Sequence, residues 1–434
     1  MIERGFRSLV SPLSLGLLSG TYALATVFMP RGYYGRIMEE ECYICGDGVT
    51  FLFLVFCLAA FYFGIWASSR SEFPSRSPRF DIKNVDTRLV GALLILSTAY
   101  SIFYTYAVIT SFPDLISYAL SGLGKEFRQD ITDEFRRLNH LLPICNCSII
   151  FSFYFINARS HAGQPCPRIN KLFVLTAIAS VMLLIVLMQR SLLIPMLFSL
   201  TIVKLHFFQK SVNFSTGKLI RNLGLLFLGL VLLFFVTSLA RGNLSVAGSG
   251  SDIDSAVYGL LGYFFSSYNR LALALSGGLI MPNEGVGYYT FGFLFSIPGV
   301  DVYSLDVFRS FDIPESRHIN WLGQFAAMES NGLNPEFIWL SVFGTAFLDW
   351  GYFSVFYFAL YGLFCGYMFK RFNSGDYFGI CFYPFVGQNI IQWFADNGLS
   401  SPWMIPQILV ALTIASLARW ASLPAEHSHF GAPS

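Results

Sequence analysis

Arg190 interrupts an apolar stretch running from residue 171 to 208, at Met188-Gln189-Arg190-Ser191. Two spans joined by so tight a turn would fix its guanidinium at the height of lipid head groups, and Pro195, one turn deeper, can kink the helix and open a pocket. Arg241 ends another apolar run as Ala240-Arg241-Gly242-Asn243. The densest polar block runs from Pro298 to Gly351 and holds Asp301, Asp306, Arg309, Asp312, Glu315, Arg317, His318, Asn320, Glu329 and Asp349. A guanidinium fork matches phosphate oxygens in two-point geometry, whereas lysine acts as a point charge. Arg309 with Arg317 and His318 could therefore clamp a diphosphate, and a carboxylate of this block or His318 could accept a proton from an attacking hydroxyl. The competing role for these arginines is to snorkel as interfacial anchors or to pair with neighbouring acids on a wet loop.

The elements that hold these residues follow from composition. The chain has 434 residues, 54% hydrophobic and 12% charged, with mean hydropathy +0.56. Soluble domains carry about 25% charge, so a water-soluble enzyme is excluded. A helical crossing needs about 20 apolar residues. Such windows lie near 9–29, 49–68, 88–111, 141–158, 171–188, 190–208, 219–240, 352–370, 377–395 and 401–420. The fold class expected is all-α: one polytopic integral membrane domain over 1–434, with about ten transmembrane helices. Residues 241–351 form one large outer loop region that contains short amphipathic helices, since long ordered excursions are usually functional. Within it, Tyr258–Leu275 and Val286–Ile297 are apolar enough to lie on or dip into the interface, and 336–348 is too short to cross. In the smaller outer loop 112–140, Phe127, Ile131, Phe135 and Leu138 recur at helical spacing and read as an amphipathic surface helix. No internal repeat is evident.

With a cytoplasmic N-terminus, alternation gathers Arg4, Arg7, Arg70, Arg76, Arg79, Lys83, Arg88, Arg159, Arg168, Lys171, Lys204, Lys210, Lys218, Arg221, Lys370, Arg371 and Arg419 inside, as the positive-inside rule requires, and puts both termini in the cytoplasm. Arg4 and Arg7 before Ala23-Leu24-Ala25 also have the form of a secretory signal, but the apolar run exceeds a typical signal core. The outer cations are Lys125 and otherwise all arginine: Arg31, Arg36, Arg128, Arg136, Arg137, Arg190, Arg241, Arg270, Arg309 and Arg317. That bias fits an anionic group handled outside. None of the ten windows has an acid or base near its centre, where ion-coupled transporters usually place one. No Lys/Arg-dense tract exists to bind nucleic acid. Cys42 and Cys45 fall in the first outer loop, where they could bridge, bind metal or share no role. The remaining cysteines in or beside spans read as small apolar fillers. Asp252-Ile253-Asp254 has the D-x-D form of metal-nucleotide binders, although a capping or solvating role explains three such residues equally well. Tyr263, Tyr268 and Trp321 suit either a sugar platform or the interfacial belt.

The pattern resembles the Wzy-type polymerases of O-antigen and related oligosaccharide repeat units. The resemblance rests on Arg190 at a tight outer turn, on Phe295-Ser296-Ile297-Pro298 inside the long loop, and on Phe347-Leu348-Asp349-Trp350-Gly351 leading into 354–366. It covers roughly residues 171–371, and departs from the family pattern at Trp350 and at Gly299. What it implies is a metal-independent, inverting glycosyltransferase without cofactor, in the bacterial inner membrane. Its substrate would be an undecaprenyl-diphosphate-linked oligosaccharide, joined into lipopolysaccharide O-antigen or another surface polysaccharide on the periplasmic face. Membrane lipid and a chain-length regulator are the further partners this would involve. Fixed guanidinium groups aimed at the departing diphosphate would be worth more in the transition state than in the ground state. Arg190, Arg241 and Arg317, then Arg309 and Arg270, are the candidates for that clamp, with His318, Glu329 and Asp349 for the base.

Three rivals share the topology. An O-antigen ligase would transfer to a lipid A core and tends to place His directly before Asn or Ser, whereas Ile319 separates His318 from Asn320 here. A metal-dependent lipid-sugar transferase would use first-loop acids, for which Glu39-Glu40-Glu41 is the candidate. A lipid-linked oligosaccharide flippase or other transporter would need a charged central cavity.

Overall fold

The computed structural model describes residues 8–71, 85–115, 134–139, 141–187, 190–210, 252–285, 287–296, 317–335, 337–401 and 404–421, with isolated positions at 117, 131, 215, 217, 221, 224, 228–229 and 232. Within these, the side chains of 37, 136–137, 190–192, 252–260, 295–296 and 317–321 lie outside the description. All the regular elements among the described residues are helical.

The helices begin where short polar side chains can satisfy the free amides of a first turn. Ser11 accepts from the Ser14 amide to open α1, Pro12–Val27, whose Pro12 has no amide to lose. After the short α2, Arg31–Met38, Asp47 caps α3, Gly48–Arg70, by accepting from Val49 and Thr50. Asp86 likewise opens α4, Thr87–Ser111. Next come α5, Leu142–His161, and α6, Pro167–Val186, each with a proline in its first turn, then α7, Arg190–Lys210. The chain continues through α8, Asp252–Leu275; α9, Arg317–Ser330; α10, Ser341–Trp350; α11, Ser354–Asn373; α12, Tyr377–Ile391; and α13, Met404–Ala421.

Five of these stretches are long and apolar enough to cross a membrane: α3, α4, α6, the run from α10 through α11, and α13. α1 is apolar but shorter. Large apolar side chains stay exposed on them, including Phe56 and Phe63 on α3, Phe103 on α4 and Ile178 on α6. Such surface is costly in water and suits lipid, so the protein is a helical, membrane-embedded one. Helices start and stop close to the expected windows; 219–240 lies mostly outside the described residues.

At the centre sits α12, buried from Tyr377 to Ile390. A helix apolar all round belongs inside a bundle rather than on its surface, and its fifteen residues rise only about 22 Å. Beside it, α3 and α11 meet backbone to backbone. A Cβ on Gly362 would collide with the Phe61 carbonyl, and one on Gly64 with the Ala359 carbonyl. Small residues permit this approach, which compensates for the weak hydrophobic drive between helices in lipid. Just past α12, the fully buried Trp393 packs edge-on against Phe61, Phe343 and Phe358.

The run Tyr258–Leu275 departs from the expected interfacial placement. It forms the last part of α8, and Tyr268, Leu271 and Ala272 are buried among α1, α3 and α10. The expected surface stripe of 125–138 is described at three positions: Ile131, Phe135 and Leu138 pack against Tyr104, Leu142, Leu183 and Leu187.

The ends of α3 distinguish the two ends of the bundle. Beside its C-terminus, the Lys370 ammonium donates to the carbonyls of Ser68, Ser69 and Ser71, while Arg371 and Arg419 donate to Asp376 at 2.7 and 3.0 Å. Beside its N-terminus lie α2, the Cys42–Cys45 disulfide and the start of α11. The two cysteines thus bridge rather than stand apart.

Candidate functional site

Two polar clusters occupy the end of the bundle near the start of α3. The first is built on Arg270, which has no exposed surface and faces Glu40, equally buried. Its terminal nitrogens donate to both Glu40 oxygens at 2.8 and 3.0 Å, and also to the carbonyls of Ser266 and Asn334. Glu40 accepts in addition from Asn269, the Asn334 amide and the Tyr34 hydroxyl. Burial and the adjacent carboxylate push the Tyr34 hydroxyl well above its ordinary range. Asn269 receives the amides of Tyr43 and Ile44, so the disulfide-closed turn is tied to α8 by the same knot. A carboxylate and a guanidinium removed from water need this degree of mutual satisfaction. In this state Arg270 serves the fold, and its terminal nitrogens are occupied. Glu40, the middle acid of the triplet that a metal-dependent transferase would use, is occupied with it.

The second cluster is built on Asp349, in the last turn of α10. The backbone reverses immediately afterwards at Gly351, where a φ of 54° with a ψ of −136° suits only glycine. Asp349 is 8% exposed. Its Oδ2 accepts from the amide and the hydroxyl of Thr290, at 2.7 and 2.8 Å. The Trp350 indole donates to that same hydroxyl at 3.0 Å, and the Gly285 amide donates to the Leu348 carbonyl. The turns at 281–285 and 287–291 are thereby moulded around the end of α10. Although the amides of Gly287 and Tyr289 also approach the carboxylate, Oδ1 is buried with no hydrogen-bond donor among the described residues. Glu284 lies on the same turn, where burial raises its carboxyl above the ordinary range against the partial offset of the Met281 amide.

Aromatic rings and a third turn complete this second cluster. Phe291 lies 6.1 Å from Trp350 and 6.4 Å from Tyr357, centroid to centroid. The Tyr357 hydroxyl accepts from Asn397 Nδ2 at 2.8 Å and lies within electrostatic reach of Asp349 and Asp396. Gly292 abuts the Ser400 carbonyl, holding the Gly292–Ser296 and Gly398–Ser400 turns together.

The other candidates are described less fully. Glu329 is exposed on the last turn of α9. That helix packs on Pro282 through Gly323 and on the Leu348 and Tyr289 side through Met328. Arg317 and His318 begin α9, six and five residues before Gly323, which is about 8–9 Å of helix. Arg190 begins α7. The side chains of Arg190, Arg317 and His318 lie outside the description, as do Arg241 and Arg309 entirely. Asp252 starts α8, so the D-x-D residues open a helix. Tyr268 is buried in the core against Tyr22 and Phe343, neither a sugar platform nor part of an interfacial belt, and Tyr263 packs on Phe337 and Trp339.

Sequence reasoning missed Thr290, Tyr357 and Asn397 as members of the Asp349 cluster. Only Asn397 carried any local signal, since Asp396-Asn397-Gly398 is a turn-forming triplet. Compared with protein-family models, curated proteins and solved structures, the chain matches none.

Proposed function

We propose that the chain is a polytopic glycosyltransferase of the inner bacterial membrane that joins undecaprenyl-diphosphate-linked repeat units into a surface polysaccharide. The observation that carries this reading is Asp349: a buried carboxylate with one oxygen held twice by Thr290 and the other without a hydrogen-bond donor among the described residues. In the reaction, the acceptor hydroxyl gives its proton to Asp349 while its oxygen bonds to the anomeric carbon of the donor. The anomeric C–O bond to the lipid diphosphate breaks, and the diphosphate leaves with the electron pair. Arg317 at the start of α9, with Arg190, Arg241 and Arg309, stabilises that leaving charge, and His318 or Glu329 provides the alternative proton acceptor. Arg270 contributes indirectly, by fixing α8 to the first loop.

Ten spans, an outer region 241–351 and cytoplasmic termini complete the reading. Two features support it. Lys370, Arg371 and Arg419, which alternation assigns to the cytoplasm, meet at one end of the bundle, and the disulfide lies at the other, as an oxidising periplasm requires. Deletion of the gene in the native host, followed by gel analysis of surface polysaccharide, tests the function. The expected result is loss of the ladder with a single repeat unit remaining. An intact ladder overturns it, and a lipid-linked polymer that never reaches the core identifies a ligase instead.

A further inference from the structure

Thr290, itself buried, stands between the Trp350 indole and the Asp349 carboxylate. An indole N–H can only donate. Trp350 Nε1 donates to Thr290 Oγ1 at 3.0 Å, so that oxygen is the acceptor there, and its own proton goes to Asp349 Oδ2, 2.8 Å away. The Thr290 amide reaches the same Oδ2 at 2.7 Å. One residue thus aims two donors at one oxygen, and the sense of the hydroxyl is fixed from outside. The turns that carry Thr290 are themselves tied down. The Tyr289 hydroxyl donates to the Pro282 carbonyl, and the Gly285 amide donates to the Leu348 carbonyl, one residue before Asp349.

We propose that Thr290 is a positioning residue for Asp349: its hydroxyl, held in one donor sense by Trp350, locks the carboxylate in a single rotation about its side-chain bond. This deepens the glycosyltransferase reading and rests on it for Asp349 being the proton acceptor. A general base works by geometry first, so its carboxylate must keep one orientation through every turnover. The hydroxyl and the amide of Thr290 are two points of attachment on Oδ2; with the amide alone on that oxygen, the carboxylate pivots about one. Trp350 acts one hydrogen bond further out. Without its N–H, nothing obliges the Thr290 hydroxyl to spend its proton on Asp349. Asp349 remains the catalytic residue, and Thr290 and Trp350 act through it.

The test expresses full-length variants in the native host lacking the gene, and reads the polysaccharide ladder against the amount of inserted protein. Thr290→Val keeps the shape and removes the hydroxyl, whereas Thr290→Ser keeps the hydroxyl and removes the methyl. The expected polymer yield is about tenfold lower in Thr290→Val, as for one hydrogen bond to a charged group, and within about twofold of wild type in Thr290→Ser. Trp350→Phe should lose several-fold. Ultraviolet resonance Raman spectra of the purified chain in lipid nanodiscs supply a readout that packing alone would not move. The hydrogen-bonded indole component that Trp350→Phe removes should vanish in Thr290→Val and persist in Thr290→Ser. Wild-type yield in Thr290→Val, a yield in Thr290→Ser as low as in Thr290→Val, or an unchanged indole band in Thr290→Val overturns the inference. Should Thr290→Val fail to insert, wild-type yield in Trp350→Phe overturns it instead. A wild-type ladder in Asp349→Asn removes the reading of Asp349 as the base, whereas loss of the ladder there beside wild-type yield in Thr290→Val removes the positioning role alone. If deletion of the gene leaves the ladder intact, the polymerase reading falls, and the Raman band decides whether the relay exists.

Discussion

Asp349 and Arg270 are both buried ionisable residues at the same end of the molecule, yet their surroundings assign them opposite work. Both carboxylate oxygens of Glu40 and both terminal nitrogens of Arg270 are paired, with Arg270 Nε alone left over, whereas one of the two carboxylate oxygens of Asp349 has no donor among the described residues. Removing one partner of a buried pair costs about 3–5 kcal/mol, while replacing both with apolar groups is often neutral. Arg270→Met and Glu40→Leu are therefore each expected to lower the melting temperature of the purified protein sharply, with the double variant recovering only part of the loss, because the Tyr34 hydroxyl, the Asn334 amide and the Ser266 carbonyl lose their partners. A double variant as unstable as the worse single one would contradict a closed structural pair. Asp349→Asn should instead leave melting nearly unchanged and reduce polymerisation about 10²–10⁴-fold, the usual contribution of a general base, read as loss of the glycan ladder from a stably inserted protein. Asp349 was legible in the sequence because it ends a short apolar run before Trp350-Gly351. The Arg270–Glu40 knot was not, because its members are 230 positions apart and sequence spacing says nothing about such a meeting.

At the scale of elements, hydrophobic runs located the helices well because a lipid environment demands long apolar segments with internally satisfied backbones. They said less about how the helices sit against one another. The run ending at Leu275 reads as interfacial by composition, yet tertiary packing draws it into the bundle, where its polar residues find partners from the first loop. The α3–α11 seam depends on glycines that leave no hydropathy trace. Gly362→Ala should already misplace α11, because the new methyl meets the Phe61 carbonyl, a backbone atom unable to swing aside. A cost of at least about 1–3 kcal/mol is expected, read as reduced folded yield in detergent. Gly224→Ala, where none of the described residues lies within 4 Å, is the matched control and should behave as wild type. Equal yields from the two variants would mean that the seam can open without penalty.

Across the whole molecule, the end holding Lys370 is tied by charge as well as by the apolar packing of Phe372, Tyr377 and Phe378. Asp376 opens α12 by accepting from the Gly379 amide and also joins Arg371 and Arg419, so one carboxylate ties α11, α12 and α13 together. Burial alone would raise its pKa. The Arg371 hydrogen bond, the Gly379 amide and the two guanidinium charges outweigh that and hold the group below the ordinary carboxylate range. A carboxyl depressed in the folded state contributes stability that is fully present above the unfolded value of about 3.9 and disappears as pH falls through the folded value. The melting temperature of the wild type in detergent should consequently exceed that of Asp376→Asn at pH 7, with the gap constant down to about pH 5 and narrowing steadily below about pH 4. Because other carboxylates titrate over the same window in both proteins, the difference between the two curves isolates this group. A gap independent of pH down to the acid limit would show that Asp376 acts only as a helix cap, leaving the three helices held together at this end by apolar packing alone.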